Sequence, residues 1–109
     1  MAYTRLNYQP AQGIIREYYG QIAANSSISI DSTSPHDIWL VVYGSWNYSG
    51  AYLLFPNNGA APVSVLLGKH GGNTPLCTFS ANGNWGIKVN NTSTAYAQSC
   101  AIYRIQKGF

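Results

Sequence analysis

The sequence predicts an all-β fold, an antiparallel β-sandwich or jelly-roll-like barrel of seven or eight short strands. Short apolar or alternating runs recur along the chain, at a spacing of roughly 8 to 12 residues. Clusters of Gly, Pro, Asn and Ser separate these runs, and no long stretch has the period of an amphipathic helix. The 109 residues correspond to one domain. We divide it into a short N-terminal arm, residues 1–13, and a β-domain, residues 14–109.

The first half of the chain alternates between strand and turn patterns. Residues 14–22 are rich in β-branched and aromatic side chains and contain Gly20, which favours a strand over a helix. Residues 23–27 form a predicted turn, and residues 28–31 alternate in the manner of a half-buried strand. The turn formers of residues 32–36 then predict a loop.

The strongest strand pattern is the run at residues 38–43, in which every residue is apolar or aromatic and half are β-branched. Alternate side chains of a strand point to opposite faces, so this run needs cover on both sides. The core of the domain covers one face, and we expect a second copy of the chain to cover the other. The predicted oligomer-interface residues are therefore Ile38, Trp39, Leu40, Val41, Val42 and Tyr43.

A hairpin is predicted directly after this run. Residues 47–50 end in the glycine that a tight turn favours, and residues 51–55 form the returning strand. The glycine-dense residues 68–75 predict a loop, and the Asn-Gly-Asn sequence at residues 82–84 predicts another hairpin. The remaining predicted strands cover residues 63–67, 76–80, 85–89 and 95–105.

Charged side chains are scarce, with 6 Lys and Arg and 3 Asp and Glu in the whole chain. Uncharged polar residues and tyrosines must therefore make the surface. This is typical of a sugar-binding or extracellular surface, or of a domain that hides its surface in an oligomer. The cations form no cluster, so we expect no nucleic-acid binding. No apolar stretch approaches the ~18 to 20 residues of a membrane span, and the first residues lack the apolar segment of a signal peptide.

Few side chains are suited to catalysis, and we expect no enzyme activity and no cofactor. The histidine and acid at positions 36 and 37 are neighbours on an extended segment and point to opposite faces. Asp31 and Asp37 flank a loop of turn formers, where Asp usually caps a turn. The motifs of serine hydrolases, zinc proteases and phosphate-binding loops are absent.

Two features leave alternatives open. His70, in the glycine-dense loop, is either solvated or one ligand of a three-histidine metal site on the axis of a trimer; we expect no metal. Cys77 and Cys100 lie in separate strand patterns without the spacing of a zinc site. They form a disulfide if their strands are neighbours, or they remain buried free thiols.

Aromatic and amide side chains near the predicted turns are the candidates for ligand binding. Aromatic faces stack on the C–H faces of sugars, while amides and hydroxyls orient the sugar hydroxyls. The ordinary preference of Trp and Tyr for strands is the alternative explanation. We expect Trp39 to lie in the core or in the interface, and Trp85 to lie in the core. The predicted ligand-binding residues are Trp46, Tyr48, Tyr52, Asn57, His70, Asn73 and Asn82.

Over about residues 14–105, the order of these segments resembles the C-terminal tip domains of bacteriophage tail fibres and related receptor-binding proteins. The segments are Ser-Ile-Ser-Ile, Ile-Trp-Leu-Val-Val-Tyr-Gly, Pro-Val-Ser-Val-Leu-Leu, Asn-Gly-Asn-Trp-Gly-Ile-Lys-Val-Asn-Asn and Cys-Ala-Ile-Tyr-Arg-Ile. The resemblance implies a homotrimeric β-sandwich knob on the phage tail, which binds a bacterial surface polysaccharide or an outer-membrane protein. The alternatives are a structural virion protein of a collar, baseplate or capsid decoration, and a stand-alone lectin.

Overall fold

A computed structural model of the chain describes residues 13–45, 47–71 and 76–108. These residues form eight antiparallel strands in two sheets and contain no helix, which confirms the predicted all-β class. Accordingly, they contain no helix long and apolar enough to cross a membrane. Nearly all of the predicted N-terminal arm lies outside the described residues. The strands are β1 (Ile15–Ile22), β2 (Ser27–Ile30), β3 (Ile38–Ser45), β4 (Tyr48–Asn57), β5 (Ala60–His70), β6 (Cys77–Asn82), β7 (Gly86–Asn91) and β8 (Gln98–Gln106).

The two sheets differ in size. The larger sheet has five strands in the order β1–β8–β3–β4–β5, and the smaller one has three strands in the order β2–β7–β6. All neighbouring strands in both sheets are antiparallel. Within the described part of the chain, β1 and β5 are the edges of the larger sheet, and neither sheet closes into a barrel.

The hydrophobic core combines side chains from both sheets, which makes the arrangement sandwich-like. Strand β3 is central in the larger sheet because it lies between β8 and β4. Burying such apolar side chains is the main favourable term in folding. The core residues are Ile22, Ile30, Trp39, Val41, Tyr43, Leu54, Ile87, Val89, Cys100 and Ile102.

The predicted interface run on β3 divides between the two faces of the sheet. Trp39, Val41 and Tyr43 are completely or almost completely buried in the core. Ile38 and Leu40 are half-buried, and Val42 is 40% exposed, on the opposite face of the same sheet. We call this opposite side of the larger sheet the outer face. A contact between copies on β3 is therefore limited to the outer-face residues of the run, and the interface itself stays a prediction.

The turns gather at two ends of the molecule. At one end, the turn after β4 meets the turn after β6, where the Gly59 backbone N–H donates to the Asn84 carbonyl oxygen at 3.0 Å. We call it the arginine end because it also contains Arg104, near the end of β8. At the other end, called the cleft end, the Tyr43 hydroxyl donates to the Leu76 carbonyl oxygen at 2.7 Å. The turn after β3 and the segment at residues 92–97 also lie at this end.

Candidate ligand-binding cleft

A cleft of about 740 Å³ opens at the cleft end, and we call it the end cleft. Residues that are far apart in the sequence line it: the end of β1, the turn after β3, the segment before β8 and the start of β8. Among the described residues that line it, none is an acid, a lysine, an arginine or a histidine. Amides and hydroxyls supply its polar groups, chiefly from Gln21, Asn47, Gln98, Ser45, Ser93 and Ser99.

Tyr48, Ser93 and Gln98 are buried members of the lining that carry polar groups. The Tyr48 hydroxyl donates to Gln98 Oε1 at 3.4 Å. This distance is long for an O–H···O hydrogen bond, which is usually about 2.5 to 3.0 Å. Because their mutual bond is weak, both side chains keep hydrogen-bonding capacity for a ligand at the bottom of the cleft.

Tyr96 is the exposed aromatic residue of the cleft, with 72% of its surface accessible. Its backbone is nevertheless fixed by two buried polar side chains. Asn91 Nδ2 donates to the Tyr96 carbonyl oxygen at 3.0 Å and also to the Ile22 carbonyl oxygen at 2.9 Å. Ser93 Oγ accepts the Tyr96 backbone N–H at 3.1 Å. An aromatic ring on an anchored backbone loses little freedom when a ligand stacks on it, which favours binding.

Two glycines allow the close backbone approach that shapes this end of the molecule. A Cβ atom added at Gly44 would overlap the Tyr48 carbonyl oxygen, and one added at Gly71 would overlap the Asn47 carbonyl oxygen. Gly71 also has a φ of +93°, a region that favours glycine. The turn that carries Asn47 and Tyr48 therefore rests directly against neighbouring backbone.

The predicted ligand-binding residues are not gathered in one place. Tyr48 lines the end cleft, while Trp46 and Asn73 lie outside the described residues. His70 is exposed at the end of β5, opposite Ser49 in the sheet register, and does not line this cleft.

The other three predicted residues lie elsewhere. Tyr52 faces the core, where its ring meets Phe79 edge to face at 5.0 Å. The asparagines at positions 57 and 82 lie at the arginine end and make structural hydrogen bonds. Asn57 Nδ2 donates to the Ala61 carbonyl oxygen at 3.2 Å. Asn82 Nδ2 donates to Asp31 Oδ1 at 2.8 Å.

Sequence reasoning missed Gln21, Tyr96 and Gln98 as members of the cleft. The pattern at residues 95–105 predicted one strand, but β8 begins only at Gln98. A signal was present in Asn-Thr-Ser-Thr at residues 91–94, because side chains of this type anchor irregular backbone. Asn91 and Ser93 do so here, and the segment before β8 projects Tyr96 into the cleft.

Asp31 and Asp37, the acidic residues that were considered for catalysis, make structural contacts at the arginine end. Asp37 is 2% exposed, and its Oδ2 lies 3.0 Å from Arg104 Nη1. Ser32 Oγ donates to the same carboxylate at 2.6 Å, and the Gly108 backbone N–H donates to its other oxygen at 2.7 Å. Across the described ranges, no three His, Cys, Asp or Glu side chains are placed to hold a metal ion together.

Of the two alternatives for the cysteines, the structure has the free thiols. Burial raises the pKa of Cys77 to about 11 and that of Cys100 to about 12. Both thiols are therefore protonated and poorly nucleophilic at neutral pH, because the thiolate is the reactive form.

Within the part of the chain that the structure describes, the end cleft offers an exposed aromatic ring, amides and hydroxyls, without an ionised group or an activated nucleophile. Such a lining is suited to hold a neutral ligand with many hydroxyl groups. No protein-family model matches the chain, and no curated protein or solved structure is significantly similar to it.

Proposed function

We propose that this protein is a non-enzymatic adhesion domain that binds a neutral bacterial surface glycan, as the receptor-binding tip of a phage tail fibre. The observation that supports glycan binding is the uncharged end cleft, with Tyr96 exposed on a fixed backbone above buried Tyr48 and Gln98. The place in a tail fibre is supported by the resemblance in the order of sequence segments.

The chemistry of the cleft matches the chemistry of a sugar. A sugar ring has an apolar C–H face that can lie on Tyr96, and hydroxyls that both donate and accept hydrogen bonds. Amide side chains such as Gln21, Asn47 and Gln98 likewise combine donors with an acceptor. A neutral sugar also avoids the cost of removing a charge from water.

The proposal includes assembly into a homotrimeric, sandwich-like knob. Edge strand β5 supports contacts between copies, because its eleven residues are exposed on both faces except for Pro62. A knob with three sites converts weak single-site binding into stronger attachment, since the second and third contacts are intramolecular. The exposed apolar side chains of β5 are Val63, Val65, Leu66 and Leu67.

Binding to whole bacteria and to purified surface polysaccharides tests the proposed function. We expect Tyr96→Ala to weaken polysaccharide binding by about tenfold or more, which corresponds to about 1.4 kcal/mol. Because the Tyr96 ring is exposed, this variant should keep its circular dichroism spectrum and urea midpoint. Thr94→Ala is the control, since Thr94 is exposed on the same segment but does not line the end cleft.

Two outcomes would reject glycan adhesion. In the first, the wild-type protein binds neither cells nor any neutral polysaccharide. In the second, Tyr96→Ala binds as well as Thr94→Ala. Binding of cells but not of their polysaccharide would shift the receptor to an outer-membrane protein.

A structural virion subunit without a receptor is the second candidate, and the exposed apolar side chains of β5 favour it. Such a subunit would use β5 for assembly and leave the end cleft without a ligand. It predicts that Tyr96→Ala has no effect on attachment, whereas a change on β5 disrupts assembly. A monomer that binds glycans would instead favour the stand-alone lectin.

A further inference from the structure

A second cleft, of about 400 Å³, lies on the outer face of the larger sheet, and we call it the face cleft. It lies where several adjoining positions of the sheet carry small side chains. One row runs through Ser99, Gly44 and Ser49 on three adjacent strands, and the next row includes Ala101. With no large side chain along the floor, a trough forms next to Tyr19 and Val42.

The face cleft and the end cleft adjoin one another. Three residues, Gln21, Ser45 and Ser99, line both of them. Gln21 and Ser99 are direct partners in the register of β1 and β8, so this shared wall is part of the sheet. A ligand that leaves the end cleft over these residues therefore enters the face cleft.

Both clefts have the same chemistry. The described residues that line the face cleft, like those of the end cleft, include no acid, lysine, arginine or histidine. Each volume lies within the range of small-molecule sites, roughly 300 to 1,000 Å³. The combined trough therefore suits a ligand longer than the one that either cleft would hold alone.

An exposed tyrosine belongs to each cleft. Tyr19 is 73% exposed in the face cleft, and Tyr96 is 72% exposed in the end cleft. The Arg16 guanidinium lies over the Tyr19 ring at 5.0 Å from the ring centroid, which helps to hold the ring in place. Large exposed aromatic residues in a connected, uncharged trough provide stacking surfaces for separate units of one chain molecule.

We infer that the ligand is a neutral glycan chain of several sugar units, with one segment in the end cleft and the next in the face cleft. This inference rests on the proposed glycan binding and adds the extent of the site. The edge strand that we assign to contacts between copies, β5, is separated from β1 by three strands. Assembly through the free edge of β5 therefore leaves the part of the face cleft next to Tyr19 on β1 open.

The test uses free oligosaccharides of graded length, prepared by partial hydrolysis of the neutral polysaccharide that the wild-type protein binds. Calorimetry on these single chains avoids the gain from multivalent attachment. For the wild-type protein, affinity should rise with length until both clefts are filled. Tyr96→Ala should weaken binding at every length. Tyr19→Ala should lower the affinity for the long oligosaccharides by about tenfold and leave the affinity for the shortest one unchanged.

The control is Tyr103→Ala, which removes a half-buried tyrosine ring from the same sheet, since Tyr103 lines neither cleft. It should bind every length like the wild-type protein. The second subsite is rejected if Tyr19→Ala binds long chains normally, or if wild-type affinity does not grow with length. In either case the proposed glycan binding still stands if Tyr96→Ala weakens binding. If Tyr96→Ala also has no effect, or nothing binds, the proposed function fails as well.

Discussion

Arg104 connects distant segments of the chain at the arginine end. Its Nη1 lies 3.0 Å from Asp37 Oδ2, its Nε lies 2.6 Å from Glu17 Oε1, and its Nη2 donates to the Asp31 carbonyl oxygen at 2.6 Å. The guanidinium also lies over the Trp39 ring, at 5.2 Å from the centroid. Three of the few charged side chains of this protein, Glu17, Asp37 and Arg104, therefore form ion pairs that connect β1, the start of β3 and β8.

We predict that Asp37→Ala lowers the free energy of unfolding by about 3 kcal/mol, because buried Arg104 then loses the more deeply buried of its two carboxylate partners. The Ser32 hydroxyl and the Gly108 backbone N–H lose their acceptor as well. Urea unfolding followed by tryptophan fluorescence measures this change. Lys107→Ala is the control, since Lys107 is exposed in the same segment and should change stability by about 0.5 kcal/mol or less. Equal urea midpoints for the two variants would show that the ion pair contributes nothing.

We predict that the protein loses stability at alkaline pH, because burial raises the pKa values of several thiols and phenols. Burial raises the pKa of Cys77 from 9.0 to about 11 and that of Cys100 from 9.0 to about 12. Burial, together with neighbouring Cys77, raises the pKa of Tyr52 from 10.0 to about 12. The unfolded chain releases these protons at a lower pH than the folded protein does. Their contribution to stability is therefore complete below pH 9.0 and is lost as the pH rises toward 12.

The corresponding measurement is the urea midpoint as a function of pH. We expect the midpoint to fall between pH 9.0 and pH 11, the window set by the free and buried values of Cys77. In Cys100→Ala one of the titrating groups is absent, so the fall should be shallower. A midpoint that stays constant across this window would contradict the prediction.

At the scale of the strand, β3 shows what the sequence predicts and where prediction stops. The uninterrupted apolar run predicted a strand that is covered on both faces. The strand itself is confirmed as β3, which lies between β8 and β4 in the larger sheet. Cover of its outer face by a second copy stays a prediction. Because every position of the run is apolar, the pattern holds no information about which alternate set faces the core. Packing decides that Trp39, Val41 and Tyr43 point inward and that Val42 points outward.

Strand boundaries were harder to predict where a hairpin is long. Residues 51–55 and 63–67 were recognised as strands, but β4 and β5 extend to Tyr48–Asn57 and Ala60–His70. Their pairing contains two irregularities in register, which let the ladder continue past residues that read as turn formers. The start of the predicted glycine-dense loop, residues 68–70, is therefore part of β5.

The end cleft was predictable only in part, because its residues come together through the sheet order. Tyr48 was identified from its place beside a hairpin turn. Gln21 and Gln98 lie on the neighbouring strands β1 and β8, where Gln21 pairs with Ser99 and Gln98 pairs with Ile22. Nothing local in the sequence predicts that the first and last described strands are adjacent. The same strand order places the face cleft beside the end cleft, because Gln21 on β1 and Ser99 on β8 line both.

At the scale of the whole molecule, edge strand β5 presents the strongest case for self-association. Val65 is 44% exposed, and residues 60–67 include no charged side chain that would block pairing with another strand edge. Lys69 and His70 lie only at the C-terminal end of the strand. An unprotected edge of this kind is usually covered in the assembled protein.

We therefore predict that the wild-type protein is a trimer of about three times 11.9 kDa at micromolar concentration, and that Val65→Lys dissociates it. The added charge is tolerated by the exposed monomer surface but opposes burial between copies. Ser29→Lys is the matched control, because it adds the same charge at an exposed position of edge strand β2. Light scattering after size exclusion, at several dilutions, measures the mass. A wild-type monomer would argue against assembly, and a Val65→Lys trimer would place the contact elsewhere, with the outer-face residues of β3 as the next surface to change.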